Sequence, residues 1–204
     1  MNNENLNSEK FKKDIIIAGV GGQGIVSIAS VIGYATLEAK LFFKQSEVHG
    51  MSQRGGDVQS HFRIANAPIH SDTIPMGNAD LIISVEPMEA LRYVNFLNSD
   101  GWIITNQNPY NNIPNYPDLN IVYDTINQFP HSIMFDAEAE ARKIGTAKAA
   151  NIVLLGAASS FLGMDYTMLE TGIRKLFGRK GDKIVDINIR ALARGAEIFR
   201  DIKK

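Results

Sequence analysis

Six residues near the amino terminus have the spacing of a phosphate-binding turn. The run is Gly19-Val20-Gly21-Gly22-Gln23-Gly24, with glycines in the pattern Gly-x-Gly-x-x-Gly. In a dinucleotide-binding loop these glycines allow a tight turn, a close approach to a pyrophosphate, and close packing of a helix on a strand. The start of the following helix then favours an anion. The spacing alone fits phosphate binding and ligand-free helix–strand packing equally well.

The acid that a nicotinamide enzyme places at the end of its second strand is missing. Such an acid holds the ribose about 20 residues beyond the glycines. That place is taken by residues 41–45, Leu-Phe-Phe-Lys-Gln, while Glu38 comes too early and Glu47 too late. The gap counts against a free-standing NAD(P)- or flavin-binding Rossmann dehydrogenase. That class stays an alternative, as does a non-enzymatic nucleotide-binding scaffold.

A second polar segment, residues 49–56, has the composition of an anion-binding loop. It holds His49, Gln53 and Arg54 between glycines and ends in Gly55-Gly56. Successive glycine N–H groups can form an anion-binding nest. An arginine can bind a carboxylate or phosphate through two hydrogen bonds, and a histidine can carry protons near neutral pH. The alternative is a surface turn with solvated side chains.

A sheet of buried strands is needed to position both loops. An apolar run at residues 15–18 predicts a strand buried on both faces, and residues 25–39 follow it with helical periodicity. Further strands are expected at 41–43, 57–64, 81–85, 103–105 and 121–123, and helices at 87–96, 137–144, 149–162, 165–177 and 183–202. The fold class is therefore α/β: a single Rossmann-like domain with a mostly parallel sheet, an antiparallel edge strand and a helical C-terminal third.

For two of these elements the sequence also predicts how far they are buried. Residues 57–64 alternate in polarity, which predicts a half-exposed strand at or near an antiparallel edge, with His61 solvated on its polar face. The helix at 149–162 is apolar on nearly all sides and should be buried. Its small residues, including Gly156, allow another backbone to approach closely.

Composition excludes several classes of function. The chain has 204 residues, a net charge of −1 and no basic stripe, so nucleic acid is not an expected partner. It has no cysteine, so any iron–sulfur cluster must sit on a partner. Residues 1–13 are expected to be a flexible leader, and no apolar run is long enough to span a membrane. We expect a cytoplasmic protein without its own metal site or complete catalytic constellation.

Three longer motifs together resemble one family, the 2-oxoacid:ferredoxin oxidoreductases, in their gamma-type subunit or domain. The motifs are DIIIAGVGGQGI at 14–25, VHGMSQRGGDVQSHFRI at 48–64 and VDINIRALARGAE at 185–197. Relatives acting on pyruvate or oxoglutarate tend to have the form Y-G-x-E-x-R-G-G in the second motif. The version with His49 and Gln53 resembles the indolepyruvate branch. The resemblance extends over residues 13–202.

The resemblance implies a complex that oxidatively decarboxylates a 2-oxoacid, here an arylpyruvate, to an acyl-CoA and reduces ferredoxin. Thiamine diphosphate, magnesium and 4Fe–4S clusters are implied to lie on a large alpha subunit. This chain would form a gamma-type catalytic domain over residues 14–202, bind no cofactor alone and be inactive alone. No catalytic residue is assigned to it. An uncovered apolar partner surface favours a homodimer of the isolated chain. The residues implied to serve the coenzyme A pocket and the partner interface are Gly19, Gly21, Gly22, Gln23, Gly24, His49, Gln53, Arg54, Gly55 and Gly56.

Overall fold

The sheet has six strands in the part of the chain that the structure, a computed structural model, describes: residues 11–50, 55–111 and 113–202. β3 runs antiparallel to both of its neighbours, and the other pairs along the sheet from β1 are parallel. The expected α/β fold class is thus confirmed, with the antiparallel pairing at one edge. The strands are β1 (Lys12–Val20), β2 (Phe42–His49), β3 (Asp57–Ala65), β4 (Ala79–Ser84), β5 (Leu97–Asn106) and β6 (Ser132–Phe135), in the spatial order β2-β3-β1-β4-β5-β6.

Helices cover both faces of the sheet. On one face α1 packs against β1 to β3 and α5 against β4 and β5, with α6 on α1 and α7 on α5. On the other face α2 packs against β1, β4 and β5, with α3 beside it. The helices are α1 (Ile25–Glu38), α2 (Pro87–Arg92), α3 (Leu119–Asn127), α4 (Ala137–Ile144), α5 (Ala150–Ala158), α6 (Tyr166–Phe177) and α7 (Asp182–Ile202).

Two glycines let α5 and α7 cross with their backbones in contact. All nine residues of α5 are buried, as the apolar sequence predicts. A Cβ atom on Gly195 would lie 1.9 Å from the carbonyl oxygen of Val153, and one on Gly156 would lie 2.1 Å from that of Leu192. Neither position has room for a side chain. The predicted close backbone approach at Gly156 is confirmed.

Two strand predictions, those at residues 121–123 and 41–43, are wrong or incomplete. Residues 121–123 belong to α3, because Val122 and Ile126 are buried at helical spacing. Asp118 caps this helix by accepting a hydrogen bond from the Asn120 N–H at 2.8 Å. The last strand is β6 instead, which was not predicted. β2 also extends well beyond the predicted 41–43, as far as His49.

The polar face of β3 is covered, so the expectation of a solvated His61 is wrong. His61 is 5% exposed, accepts a hydrogen bond from the Ile74 N–H at 3.0 Å, and meets the ring of Phe96 edge-on. Burial, helped by the charge of Arg63, lowers the pKa of His61. The connection that precedes β4 therefore shields this face. β2, outside β3, forms the true edge of the sheet.

The expected leader lies mostly outside the described residues. β1 begins at Lys12, so the last two residues of that expected leader belong to a strand. The carboxyl of Asp14 in this strand is fully buried and bonded by Arg63 at 2.8 and 3.1 Å. The antiparallel pairing of β1 with β3 places these two residues opposite each other. This ion pair anchors the first strand.

Candidate functional site

The glycine-rich loop follows β1 at the carboxyl edge of the sheet. Gly22 and Gly24 adopt φ of 100° and 88°, a region that favours glycine. The Gln23 side-chain oxygen accepts a hydrogen bond from the Val20 N–H at 2.8 Å. Asn151, from α5, donates to the Gly24 carbonyl at 3.1 Å. Side chains on both sides of the loop therefore hold its shape.

The start of α1 is open to a ligand. Among the described residues, no side chain caps this helix, whose N-cap is Gly24. The first N–H groups of a helix lack partners within the helix and favour an anion. A Cβ atom on Gly22 would meet nothing within 4 Å, so the loop is open above that position. Gly19 has a packing role instead, because a Cβ there would lie 3.1 Å from side-chain atoms of Gln23 and Ile25.

The two loops predicted from the sequence meet in the structure. The Gly21 N–H donates to the Gly56 carbonyl at 2.8 Å. Gly55 has a φ of 81°. His49 ends β2 with an exposed side chain, 2.7 Å from the carboxylate of Glu47. The other two polar candidates of this segment, Gln53 and Arg54, lie outside the described residues.

A cleft of about 580 Å³ opens beside the glycine loop. Its walls come from the ends of β4 and β5, the α4–α5 connection, and the first turns of α7. Of the ten predicted site residues, Gly22, Gln23 and Gly24 line it. Its other lining residues are Ser27, Val85, Asn106, Glu138, Thr146, Ala147, Lys148, Ala149, Ala150, Asn151, Phe177, Lys180, Ile184, Ile187 and Asn188.

Two lysines give the cleft a positive character. Lys148 follows Thr146, whose hydroxyl accepts the Lys148 N–H at 3.2 Å, and Lys180 lies with its Nζ 5.4 Å from the ring centre of Phe177. Within the described ranges, neither ammonium has a salt bridge. Glu138, the carboxylate of the lining, is bound by Arg142 at 2.9 Å. The cleft therefore offers two cations to an anionic ligand.

Buried amides fix the inner wall of the cleft. Asn106 closes β5, where its side chain accepts from the Ala137 N–H at 3.1 Å and donates to the Val85 carbonyl at 3.4 Å. Asn188, in the third sequence motif, donates to the Ile184 carbonyl at 2.8 Å. The Asn106 bonds tie the start of α4 to the ends of β4 and β5, whereas the Asn188 bond lies within α7. The walls are thus held before any ligand arrives.

Sequence reasoning missed both lysines, and no local spacing marks them. It also missed the role of Glu86, a buried carboxylate at the start of α2 on the other side of β4. Glu86 accepts the Glu89 N–H at 2.8 Å, the Tyr110 N–H at 3.3 Å and the hydroxyl of Tyr116. Burial and the bond to Glu86 raise the pKa of Tyr116 well above its usual range. One carboxylate therefore holds the connection from β5 to α3 against the sheet.

The arrangement suits the binding of an anion. Within residues 11–50, 55–111 and 113–202 there is no group of three histidine or acidic side chains suited to a metal ion. No helix in those same ranges is both long and apolar enough to cross a membrane. The cleft has one acidic residue, Glu138, among its described lining residues. What it combines is an open helix start, glycine backbone and two ammonium groups.

Comparison with known proteins agrees with the sequence motifs. The family model for pyruvate ferredoxin/flavodoxin oxidoreductase matches residues 14–198. The indolepyruvate oxidoreductase subunit IorB of Thermococcus kodakarensis is 35% identical over 198 residues, which cover 93% of this chain and 96% of that protein.

Two solved structures share the fold. The 2-oxoglutarate:ferredoxin oxidoreductase of Magnetococcus marinus aligns with a TM-score of 0.74 and 19% identity, over 95% of this chain but only 32% of that one. The pyruvate oxidoreductase subunit PORC of Thermotoga maritima aligns with a TM-score of 0.70 and 24% identity, over 91% and 96% of the two chains. The resemblance drawn from the motifs is confirmed: the chain belongs to the pyruvate ferredoxin/flavodoxin oxidoreductase family.

Proposed function

We propose that this chain is a subunit of an indolepyruvate-type 2-oxoacid:ferredoxin oxidoreductase and that its cleft holds the phosphate groups of coenzyme A. The observation that carries the proposal is the cleft itself, where Lys148 and Lys180 flank an uncapped helix start. Membership of the family supports the reaction, and the similarity to IorB supports arylpyruvates as substrates. The Magnetococcus enzyme, which shares the fold, was solved with coenzyme A bound.

The other cofactors of such a complex do not fit this chain. A 4Fe–4S cluster needs cysteine thiolates, and the sequence has none. Thiamine diphosphate is bound through magnesium by a G-D-G pattern with a downstream Asn in the family's thiamine-binding domains, and this sequence lacks that pattern. We therefore assign both groups to a large partner subunit. Decarboxylation and electron transfer to ferredoxin take place there, and this chain is inactive alone.

Coenzyme A is a polyanion that this cleft is suited to hold. The two lysine ammonium groups neutralise phosphate charge, and the open N–H groups at the start of α1 donate to phosphate oxygens. Gly22 carries no side chain, so phosphate can approach the backbone there. The thiol arm then extends towards the partner subunit, where it receives the acyl group. The role of this chain is to bind and orient the acceptor.

The test uses the complex of this chain with its partner subunit. Rates of indolepyruvate-dependent ferredoxin reduction are measured over a range of coenzyme A concentrations. Loss of one charge-assisted hydrogen bond costs about 1.5–3 kcal/mol, so Lys148→Ala and Lys180→Ala should each raise KM for coenzyme A about 10- to 100-fold. The value of kcat should change little, since the chemistry lies on the partner.

The matched control is Arg179→Ala, which removes an exposed cation next to Lys180 that does not line the cleft. It should leave KM for coenzyme A within about twofold of the native value. If the two lysine variants behave like this control, the cleft does not hold coenzyme A.

A role for the second loop is a separate part of the proposal. The Gly21–Gly56 hydrogen bond joins the end of this loop to the glycine loop, and Arg54 directly precedes Gly55 and Gly56 in the sequence. We propose that the glycine loop and residues 49–56 face the partner and contribute to the coenzyme A pocket. Arg54→Ala should weaken coenzyme A binding or subunit assembly. Unchanged coenzyme A dependence together with unchanged assembly would remove Arg54 from the proposal.

The two alternatives make different predictions for the isolated chain. A free-standing dehydrogenase would bind NAD(P) or a flavin alone, with micromolar affinity in calorimetry, and would need no partner. A nucleotide-binding scaffold would bind a nucleotide without any thiamine-dependent partner purifying with it. The missing ribose acid counts against the first, and family membership counts against both.

A further inference from the structure

β2 presents a long open edge. Within the described ranges no strand lies beside its outer backbone, which leaves a row of hydrogen-bonding groups uncovered. The strand pairs with β3 without a register shift, from Phe42 opposite Ala65 to His49 opposite Val58, and it contains no proline. Proteins usually guard an open edge with charged side chains, a bulge, a proline or a very short strand, and of these β2 has only the charges of Lys44 and Glu47. This edge is suited to pairing with another strand.

Helix α1 adds an uncharged surface beside that edge. Gly33 of α1 faces the ring of Phe43 on β2, because a Cβ atom there would lie 3.6 Å from the ring. The exposed side of α1 carries Val26, Tyr34 and Leu37, and its sole charged residue is Glu38 at the end of the helix. The outer surfaces of α4 and α7, by contrast, carry salt bridges. We call the outer edge of β2 together with Val26, Tyr34 and Leu37 the lateral surface.

The sequence of β2 is complementary to itself in one antiparallel register. Side chains alternate between the faces of a sheet, and residues that lie opposite each other on neighbouring strands point to the same face. In a twofold antiparallel pair of β2 strands, one residue must therefore lie opposite its own copy, with the axis passing between the two. An axis at Lys44 would place two lysines opposite each other, and an axis at Glu47 would place two glutamates opposite each other. Both registers are unfavourable because like charges that lie directly opposite destabilise the pairing. An axis at Gln45 places Phe42 opposite Val48 of the second copy, and the reverse.

That register covers apolar groups that are otherwise open to water. Phe42 is 49% exposed and Val48 is 53% exposed. The next register, with the axis at Ser46, would place Lys44 opposite Val48 and leave Phe42 beyond the paired segment. Cross-strand pairs of aromatic and β-branched side chains stabilise an antiparallel pairing. The axis at Gln45 is therefore the favoured one.

The same axis brings the two α1 helices together on one face. Because α1 lies across β1, β3 and β2, it is centred over β3, one and a half strand spacings from the axis. With strands about 4.8 Å apart, the two helix axes are then about 14 Å apart. A helix with its side chains is about 10–12 Å across, so the large side chains Tyr34 and Leu37 of both copies can meet.

We propose that the lateral surface binds a second copy of this chain, in a twofold dimer whose β2 strands pair antiparallel about Gln45. The occupant follows from the self-complementary register and from the uncharged helix stripe beside it. The cleft lies on the α5–α7 side of the molecule and stays open in this dimer. The proposal is therefore independent of the role assigned to the cleft.

Disulfide trapping tests the register, since the chain has no cysteine of its own. The two copies of Gln45 would have Cα atoms about 4.5–5.5 Å apart, within the range of a disulfide. The purified full-length Gln45→Cys variant should therefore run at twice 22.5 kDa after oxidation, on a non-reducing denaturing gel. The control is Ser46→Cys, whose copies would lie diagonally, about 7–8 Å apart, and should stay uncross-linked.

Surface charges test the interface without a disulfide. In analytical ultracentrifugation, Leu37→Glu and Val48→Lys should each raise the dimer dissociation constant at least about tenfold. Ile121→Lys, an equally exposed site on α3, should leave it unchanged. A native chain that is monomeric at about 100 µM overturns the proposal. So does a dimer that Gln45→Cys fails to trap or that the lateral variants leave intact.

Discussion

The close crossing of α5 and α7 predicts that a side chain at Gly195 destabilises the fold. In Gly195→Ala the new Cβ atom would start 1.9 Å from the Val153 carbonyl oxygen and 2.7 Å from the Ala157 nitrogen. Both neighbours are backbone atoms, so no side chain can swing away. The helices must separate locally by about 1.5 Å to reach an ordinary 3.4 Å contact.

The expected loss follows from two opposing effects. Overpacking of this kind costs about 1–3 kcal/mol, and separation of two closely packed helices adds lost dispersion contacts. Alanine in place of glycine returns at most about 1 kcal/mol of helix propensity. We expect Gly195→Ala to lower the free energy of unfolding by about 2–3 kcal/mol.

Gly33→Ala is the matched control, also a buried glycine inside a helix. A Cβ atom there would meet Phe43 at an ordinary 3.6 Å, so the variant should be neutral or up to about 1 kcal/mol more stable. Urea unfolding followed by circular dichroism gives both values, with an unchanged slope if the compactness of each state is kept. A Gly195→Ala variant as stable as the Gly33→Ala variant would refute the argument that backbone contact requires this glycine.

Three further predictions concern buried polar groups. Burial lowers the pKa of His61, so as the pH falls below about 6.5 the imidazole of the unfolded chain takes up a proton before that of the folded chain does. The free energy of unfolding should therefore decrease with falling pH, by up to about 1.4 kcal/mol per pH unit. In urea unfolding, His61→Gln should remove the part of this decrease that is due to His61. Arg63→Met leaves the carboxyl of Asp14 buried without its main partner and should cost about 3 kcal/mol in the same assay, whereas Lys12→Met, a half-exposed partner of that carboxyl, should cost less than about 1 kcal/mol. Asn151→Ala should cost about 1 kcal/mol and raise KM for coenzyme A in the assembled complex, because it frees the glycine loop.

The first part of the fold was predictable because its signals are local and agree with one another. The apolar run before Gly19, the glycine spacing and the helical periodicity after it all indicate one strand–loop–helix unit, and the structure has it as β1 and α1. The buried α5 was predictable for a similar reason, since nearly every side of it is apolar. The α/β class follows from these elements.

The errors lie where local preference and tertiary context disagree. Ile121, Val122 and Tyr123 have strong strand propensity, yet their segment is a helix that buries Val122 against the rest of the fold. The cap Asp118 was the available signal. His61 was expected to be solvated because its strand alternates, but the connection from β3 to β4 covers that face and brings the Ile74 N–H to its ring.

The cleft could be predicted only in part. Its glycines follow from spacing, whereas Lys148 and Lys180 reach it through the packing of α5 and α7, which no local pattern records. Asn188 belongs to a motif noted in the sequence, but its place in the wall depends on the same packing. Local sequence patterns do not indicate which charged residues the tertiary structure brings together.

We expect this chain to work only as part of a 2-oxoacid oxidoreductase complex. The most direct test of this expectation is indolepyruvate-dependent ferredoxin reduction by the large subunit alone, by this chain alone, and by the two together. We predict activity in the mixture, dependent on coenzyme A, and none with this chain alone. Full activity of the large subunit without this chain, or a mixture inactive on every 2-oxoacid tried, would contradict the account.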